Sequence, residues 1–160
     1  MIQPDAGEVE IGETIRIGYF AQEVPDMDTN QRVIDYIRDV AEYIPTRDGK
    51  ISATMMLERF LFDSAMQYAP IAKLSGGEKR RLYLLKVLME APNVLLLDEP
   101  SNDLDIPTLT ILEDYLDSFA GIVIAVSHDR YFLDNIVDRI FAFEGNGHLT
   151  QYEGGYTDYT

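Results

Sequence analysis

Near the start of the chain, apolar and polar residues alternate with the period of a strand. Val9 and Ile11 carry the pattern over residues 8–11, and Ile15, Ile17 and Tyr19 carry it over residues 14–20. Pro4-Asp5-Ala6-Gly7 precedes the first stretch and Gly12-Glu13 separates the two; both read as turns, so the pattern predicts an antiparallel hairpin with one solvated face. Residues 21–29 are polar and broken by Pro25, as in a loop. The period then lengthens. Val33, Ile34, Ile37, Val40 and Ala41 recur at helical spacing, with Thr29 or Asn30 as the candidate N-cap. Residues 45–50 interrupt the pattern. A second helix follows, with Ser52 as its cap and Met56, Leu57, Phe60 and Leu61 on one face. Residues 30–73 thus predict a small helical subdomain set between strands.

From Leu74 onward, helix and strand alternate. Leu74-Ser75-Gly76-Gly77 opens a helix reaching about residue 89, and Leu82, Leu84, Leu85, Val87 and Leu88 make it apolar on most faces. Such a helix belongs inside a fold. Val94-Leu95-Leu96-Leu97 is an unbroken apolar run that stops at Asp98-Glu99-Pro100, and Ile122-Val123-Ile124-Ala125-Val126 stops in the same way at Ser127-His128-Asp129. Runs of this kind predict strands of a parallel sheet, buried on both faces. Between them Pro107 suits the first turn of a helix, Leu109, Leu112, Leu116 and Phe119 continue it, and Gly121 ends it. A short helix around Tyr131, Phe132 and Ile136 and two strands, 140–143 and 149–152, complete the chain. The expected fold class is α/β, with a parallel sheet core, an N-terminal antiparallel hairpin and the small helical subdomain.

Composition narrows the function. With 160 residues the chain has room for one domain with a substantial core. Its 13 Lys and Arg against 28 Asp and Glu leave a formal charge of -15, which disfavours direct contact with nucleic acid or an anionic membrane. The only basic run, Lys79-Arg80-Arg81, lies inside a predicted helix. The absence of Cys excludes disulfides and thiolate metal sites, and two His make a His-based zinc site a poor reading. No apolar run approaches the ~20 residues of a membrane span, and the first residues do not read as a signal peptide. A soluble, acidic, cytoplasmic protein is expected.

Ligands of open parallel sheets bind beyond the carboxyl ends of the strands. Asp98-Glu99 and Ser127-His128 are delivered to that edge. An Asp there can hold Mg²⁺, mostly through water, and the adjacent Glu can take a proton from an attacking water. Ser75-Gly76-Gly77 before a helix is a sequence that presents backbone N–H groups to an anion. His128 can hydrogen-bond a γ-phosphate, and Gln22, just after a strand, can reach a metal or water. Taken singly, each has an ordinary structural reading: a solvated acidic turn, a helix cap, a core histidine, a loop glutamine. His148, in Gly145-Asn146-Gly147-His148, reads as a surface turn.

Taken in order, these segments resemble the ATP-binding cassette (ABC) ATPases. Gln22, Leu74-Ser75-Gly76-Gly77-Glu78, the run from Val94 to Pro100, Ser101-Asn102-Asp103-Leu104-Asp105 and Ser127-His128-Asp129-Arg130 match that family's Q-loop, signature motif, Walker B with its catalytic Glu, D-loop and H-loop. Glu99-Pro100-Ser101-Asn102-Asp103-Leu104-Asp105 and Ser127-His128-Asp129-Arg130-Tyr131-Phe132-Leu133 look like the ABC-F branch, soluble translation-associated ATPases. Phe143-Glu144-Gly145-Asn146-Gly147 and Tyr152-Glu153-Gly154-Gly155-Tyr156 resemble the end of the second cassette of Uup-type members. The resemblance divides the chain into residues 1–22 (antiparallel β part and Q-loop), 30–73 (helical subdomain) and 74–160 (signature motif, Walker B, D-loop and H-loop).

The resemblance implies ATP and Mg²⁺ as cofactors and a second cassette, docked head to tail, as partner. Ser75, Gly76 and Gly77 would contact the γ-phosphate of ATP held by that partner. Asp98 and Gln22 would hold Mg²⁺, mostly through water, Glu99 and His128 would be catalytic, and Asn102, Asp103, Leu104 and Asp105 would form the D-loop. A ribosome is implied as a further partner of the intact protein. No G-x-x-x-x-G-K-[ST] occurs in the sequence, so the cassette is expected to be truncated and the isolated chain to be inactive. Two other readings stay open on the residues alone: an ATP-binding subunit of a transporter, and a non-catalytic module that docks onto another cassette.

Overall fold

The computed structural model describes residues 4–46, 49–102, 104–143 and 145–155. The first strand, β1 (Ile17–Phe20), buries Gly18 and Phe20 and turns Ile17 and Tyr19 outward. No strand forms over residues 8–11, where Val9 and Ile11 are exposed. The N-terminal antiparallel hairpin expected from the alternation is therefore corrected: β1 pairs in parallel with a strand 77 positions later, Ile17 opposite Val94 through Phe20 opposite Leu97. A period of two reports that one face of a strand is buried and leaves its neighbour undetermined. Here Asn93 decides the entry. Its side chain accepts from Arg16 N at 2.7 Å and donates to Thr14 O at 2.7 Å, aligning the chain with the strand that follows Asn93.

The helical segment starts with α1 (Val33–Arg38), which buries Val33, Ile34 and Ile37. Neither Thr29 nor Asn30 caps it. Arg32 occupies the N-cap without a side-chain bond, and Val33 N donates instead to Ala69 O at 3.1 Å, so a tertiary carbonyl does the work of a cap. Where an interruption was expected, β2 (Tyr43–Thr46) and β3 (Gly49–Ser52) form an antiparallel pair. Ser52 then caps α2 (Ala53–Arg59) as expected, accepting from Met55 N at 3.2 Å. Leu61 lies beyond that helix in the left-handed region, and α3 (Ser64–Tyr68) follows with Asp63 as its cap.

A 3₁₀ turn at Ile71–Lys73 leads into α4 (Gly76–Met89), capped by Ser75. Nine of its residues are buried, including Arg80 and Arg81, which fits the nearly all-round apolar pattern. It packs close to β1: a Cβ on Gly18 would lie 2.8 Å from Pro92 Cγ and 3.1 Å from Val87 Cγ1. The strands β4 (Val94–Asp98) and β5 (Ile122–Val126) run parallel, joined by α5 (Ile106–Asp117), and the sheet order is β1-β4-β5. The last elements are α6 (Arg130–Ile136) and the antiparallel pair β6 (Arg139–Phe143) and β7 (Leu149–Glu153).

One contiguous apolar cluster joins Phe20, Leu95 and Leu97 on the inner face of the sheet to Leu82, Leu85 and Leu88 of α4 and to Val33, Ile37 and Met56 of the helical segment. The outer face of the sheet is different. Ile17, Tyr19, Ile122, Ile124 and Val126 are exposed; in register Ile17, Val94 and Ile122 form one row and Tyr19, Leu96 and Ile124 the next. The expectation that both strands are buried on two faces is thus corrected: β4 is buried on one face and half-buried on the other, and β5 is an edge strand. Among the described residues, the helices cover one face only.

Candidate functional site

Because β1, β4 and β5 run parallel, the loops that leave them emerge at one edge of the sheet. The three sequence-predicted groups after these strands meet there. Gln22 Nε2 donates to Asp98 Oδ1 at 3.5 Å. The Tyr19 hydroxyl donates to Asp98 Oδ2 at 3.3 Å. Desolvation, and then the charge of the Asp98 carboxylate, push the Tyr19 hydroxyl above its ordinary value, so it stays a donor at neutral pH. Asp98 and the amide oxygen of Gln22 are hard oxygen donors, the chemistry that Mg²⁺ takes together with water. Among the described residues no group of three or more His, Asp or Glu side chains could cage a metal by itself. The donor set fits Mg²⁺ that keeps part of its water shell.

Glu99 sits one residue further along, with φ at 47°, in the left-handed region. Its N–H donates to Val126 O at 2.7 Å and its carbonyl accepts from Asn102 N at 3.1 Å. This bend turns its side chain away from Asp98 and toward β5. There Glu99 Oε1 lies 3.3 Å from His128 Nε2, with the Glu99 side chain 10% exposed and that of His128 96% exposed. A buried carboxylate faces an imidazole that solvent reaches freely. Such a carboxylate can accept a proton from a water bound beside it.

Ser75, Gly76 and Gly77 form the other part of the candidate site. The capping box is complete: Glu78 N donates to Ser75 Oγ at 3.2 Å, and Ser75 N donates to Glu78 Oε1 at 2.9 Å. These two bonds leave the N–H groups of Gly76 and Gly77 at the open end of a 14-residue helix. A Cβ built on Gly76 meets nothing within 4 Å. An anion can approach this backbone closely, which fits a phosphate. Among the described residues, no hydrogen bond or ion pair links Ser75, Gly76 or Gly77 to Asp98, Glu99 or His128.

The expected D-loop is partly structural. Asn102 closes the turn on Glu99, Leu104 is buried in the core, and Asp105 caps α5 by accepting from Thr108 N at 2.9 Å. Asp103 lies outside the described residues. Tyr19 was legible only as a strand residue; the signal for more was a phenol at the strand end that also delivers Gln22. Arg80 and Arg81 were legible only as charges in an apolar helix, a mismatch that itself marks buried, partnered cations.

A family model described as ABC transporter matches residues 1–102 of the chain. The chain belongs to the ATP-binding cassette family. The cassette is 60% identical over 157 residues to the ABC transporter ATP-binding protein YfmR of Bacillus subtilis, covering 98% of this chain and 25% of that protein. It is 41% identical to the ATP-binding protein Uup of Haemophilus influenzae, covering 98% of this chain and 24% of Uup. It is 37% identical to the energy-dependent translational throttle protein EttA of Escherichia coli, covering 98% of this chain and 28% of EttA. Uup and EttA belong to the ABC-F branch that the motifs resemble. The solved structure of RNase-L Inhibitor superposes with a TM-score of 0.71 at 20% identity, over 97% of this chain and 30% of that one, and shows the shared fold. The chain spans about a quarter of the length of the curated relatives it matches. No helix among the described residues is long and apolar enough to cross a membrane.

Proposed function

We propose that this cassette works as part of an ABC-F type ATPase, hydrolysing ATP to ADP and phosphate together with a second cassette docked head to tail. One observation carries the reading: the buried Glu99 carboxylate 3.3 Å from His128, beside the Gln22–Asp98 pair at the carboxyl edge of the parallel sheet. Asp98 and Gln22 would hold Mg²⁺, mostly through water. The bound ion supplies positive charge against the phosphates. Glu99 accepts a proton from the water whose oxygen attacks the γ-phosphorus, and the bond from that phosphorus to the ADP oxygen breaks. His128 orients the γ-phosphate from the solvent side. Ser75, Gly76 and Gly77 serve the ATP held by the second cassette, through the open amides of α4. Asn102, Asp103, Leu104 and Asp105 form the D-loop, with Asp105 also fixing the start of α5. In this proposal residues 30–73 form the helical subdomain and residues 74–160 carry the signature motif, Walker B, D-loop and H-loop.

The name of EttA, a translational throttle at 37% identity, supports a ribosome as the partner of the complete protein, acting in the cytoplasm. The charge of -15 supports contact through other parts of that protein rather than through this acidic chain.

The test is Glu99→Gln in a protein of the relatives' length. Turnover is expected to fall by roughly 10² to 10⁴-fold. Nucleotide binding should survive, because the amide keeps the shape and removes a charge near the phosphates. Steady-state hydrolysis within about tenfold of wild type would reject Glu99 as the base.

A further inference from the structure

Arg80 is 1% exposed, among the most deeply buried of the large side chains. A guanidinium is costly to bury unless its donors are met by well-placed acceptors. Among the described residues, two backbone carbonyls on two different loops accept from it. Nη1 donates to Ala21 O at 2.6 Å, the residue directly before Gln22. Nε donates to Asn102 O at 3.4 Å, the residue whose N–H closes the turn on Glu99. The plane is backed by the Phe20 ring, with the guanidinium carbon 4.2 Å from its centroid. Tyr83, one turn further along α4, holds the same stretch from the other side: its hydroxyl accepts from Ala21 N at 3.3 Å and donates to Tyr19 O at 3.1 Å.

Backbone on each side of the Gln22–Asp98 pair is thus tied to one rigid group, mounted five residues after the Ser75 cap. We propose that Arg80 is a positioning residue for Gln22: its guanidinium sets the spacing between the Gln22 loop and the loop after Glu99, and so the distance from Gln22 to Asp98. The proposal rests on the reading of Gln22 and Asp98 as the Mg²⁺ pair. It requires arginine rather than a cation in general, because the two donors point to different loops and an ammonium is a point charge without that fork. In this role Arg80 acts on Gln22 through its bonds to Ala21 O and Asn102 O.

The experiment is a double-mutant cycle in a protein of the relatives' length that supplies a P-loop, using Arg80→Lys, Gln22→Ala and the pair. ATP turnover is read against Mg²⁺ concentration, beside thermal unfolding. Arg80→Lys is expected to lower kcat by roughly 10 to 10²-fold, as loss of positioning does. The Mg²⁺ needed for half-maximal turnover should rise several-fold, and the KM for ATP should change by about twofold or less. The double variant should be within about twofold of Gln22→Ala alone, because both changes remove one function. Multiplying losses, or a kcat that falls with the Mg²⁺ requirement unmoved, would overturn the proposal and leave Arg80 a structural residue. Arg80→Met, which keeps much of the packing without the charge, replaces Arg80→Lys if that variant does not fold. Failure of both to fold counts against positioning as well. Undiminished turnover in Gln22→Ala would instead overturn the assignment of Gln22 itself.

Discussion

Glu99 is held in a backbone conformation that side chains other than glycine and asparagine rarely take, at a cost of about 1–2 kcal/mol. Two backbone hydrogen bonds, to Val126 O and from Asn102 N, hold it there. The bend lets two consecutive carboxylates do different things: Asp98 faces Gln22 and Tyr19, and Glu99 faces His128. Gly77 is the second residue of α4, at the helix end proposed to face a phosphate. An Asp at that second helical position would interact favourably with the helix N-terminus, so the fold should persist. The same carboxylate would fill the approach to the open amides and repel a phosphate. Gly77→Asp in a protein of the relatives' length should therefore abolish ATP-driven closure of the cassettes, read by small-angle scattering, with an unchanged melting temperature. Closure at wild-type ATP concentrations would reduce Ser75, Gly76 and Gly77 to a helix cap.

Among the described residues, every α-helix but α1 starts at a Ser or Asp cap, and α5 shows the energetics most plainly. Asp105 accepts from Thr108 N at 2.9 Å, and the bonds to Thr108 hold its carboxyl below the ordinary value of 3.8, with the Arg81 charge a smaller contribution. A depressed value in the folded state means that the carboxylate stabilises the fold above its unfolded value. That stabilisation is lost as pH falls through the folded one. Asp105→Ala should cost about 1 kcal/mol at neutral pH, measured by urea unfolding. The gap to wild type should narrow as the solution is acidified below 3.8. A gap that stays constant to the acid end of the stable range would show that the charged carboxylate is not the cap. α1 makes the opposite case: with no side-chain cap, its start depends on the Ala69 carbonyl, so it is stable only while the helical segment stays packed.

Across the molecule, two features govern the behaviour of the 160-residue chain by itself. Its sequence contains no G-x-x-x-x-G-K-[ST], the source of most of the grip on β- and γ-phosphates, and its charge of -15 repels a tetra-anion at low salt. Calorimetry on the isolated chain should show Mg-ATP binding no tighter than about millimolar, a free energy near -4 kcal/mol, with no hydrolysis. Micromolar binding would reveal a phosphate site outside the residues named above. The second feature is the outer sheet face, where Ile122, Ile124 and Val126 on one side of β4 and Ile17 and Tyr19 on the other stand exposed. Uncovered apolar strands at a sheet edge favour association. Sedimentation should find the isolated chain self-associated, and Ile124→Lys should shift it toward monomer. A wild-type chain that stays monomeric at high concentration would contradict this.

Local chemistry was readable wherever a residue's role depends on near neighbours in sequence. Ser75 before two glycines, with Glu78 three residues on, encodes its own capping box; the apolar runs before Asp98 and before Ser127 encode strands that end in polar groups. The order of these segments also pointed to the family, which the family model over residues 1–102 and the relative at 60% identity bear out. What stayed hidden depends on partners far along the chain. Alternation over residues 14–20 could not say that β1 lies parallel to β4, because a period of two reports one buried face and no neighbour. The run of apolar residues in β5 reported a preference for burial, while its actual exposure follows from which layers pack on the sheet. Arg80 is the sharpest case. Its sequence context marks a cation in an apolar helix, and only the packing of α4 against β1 brings Ala21 O and Asn102 O, 59 and 22 positions away, within reach of one guanidinium.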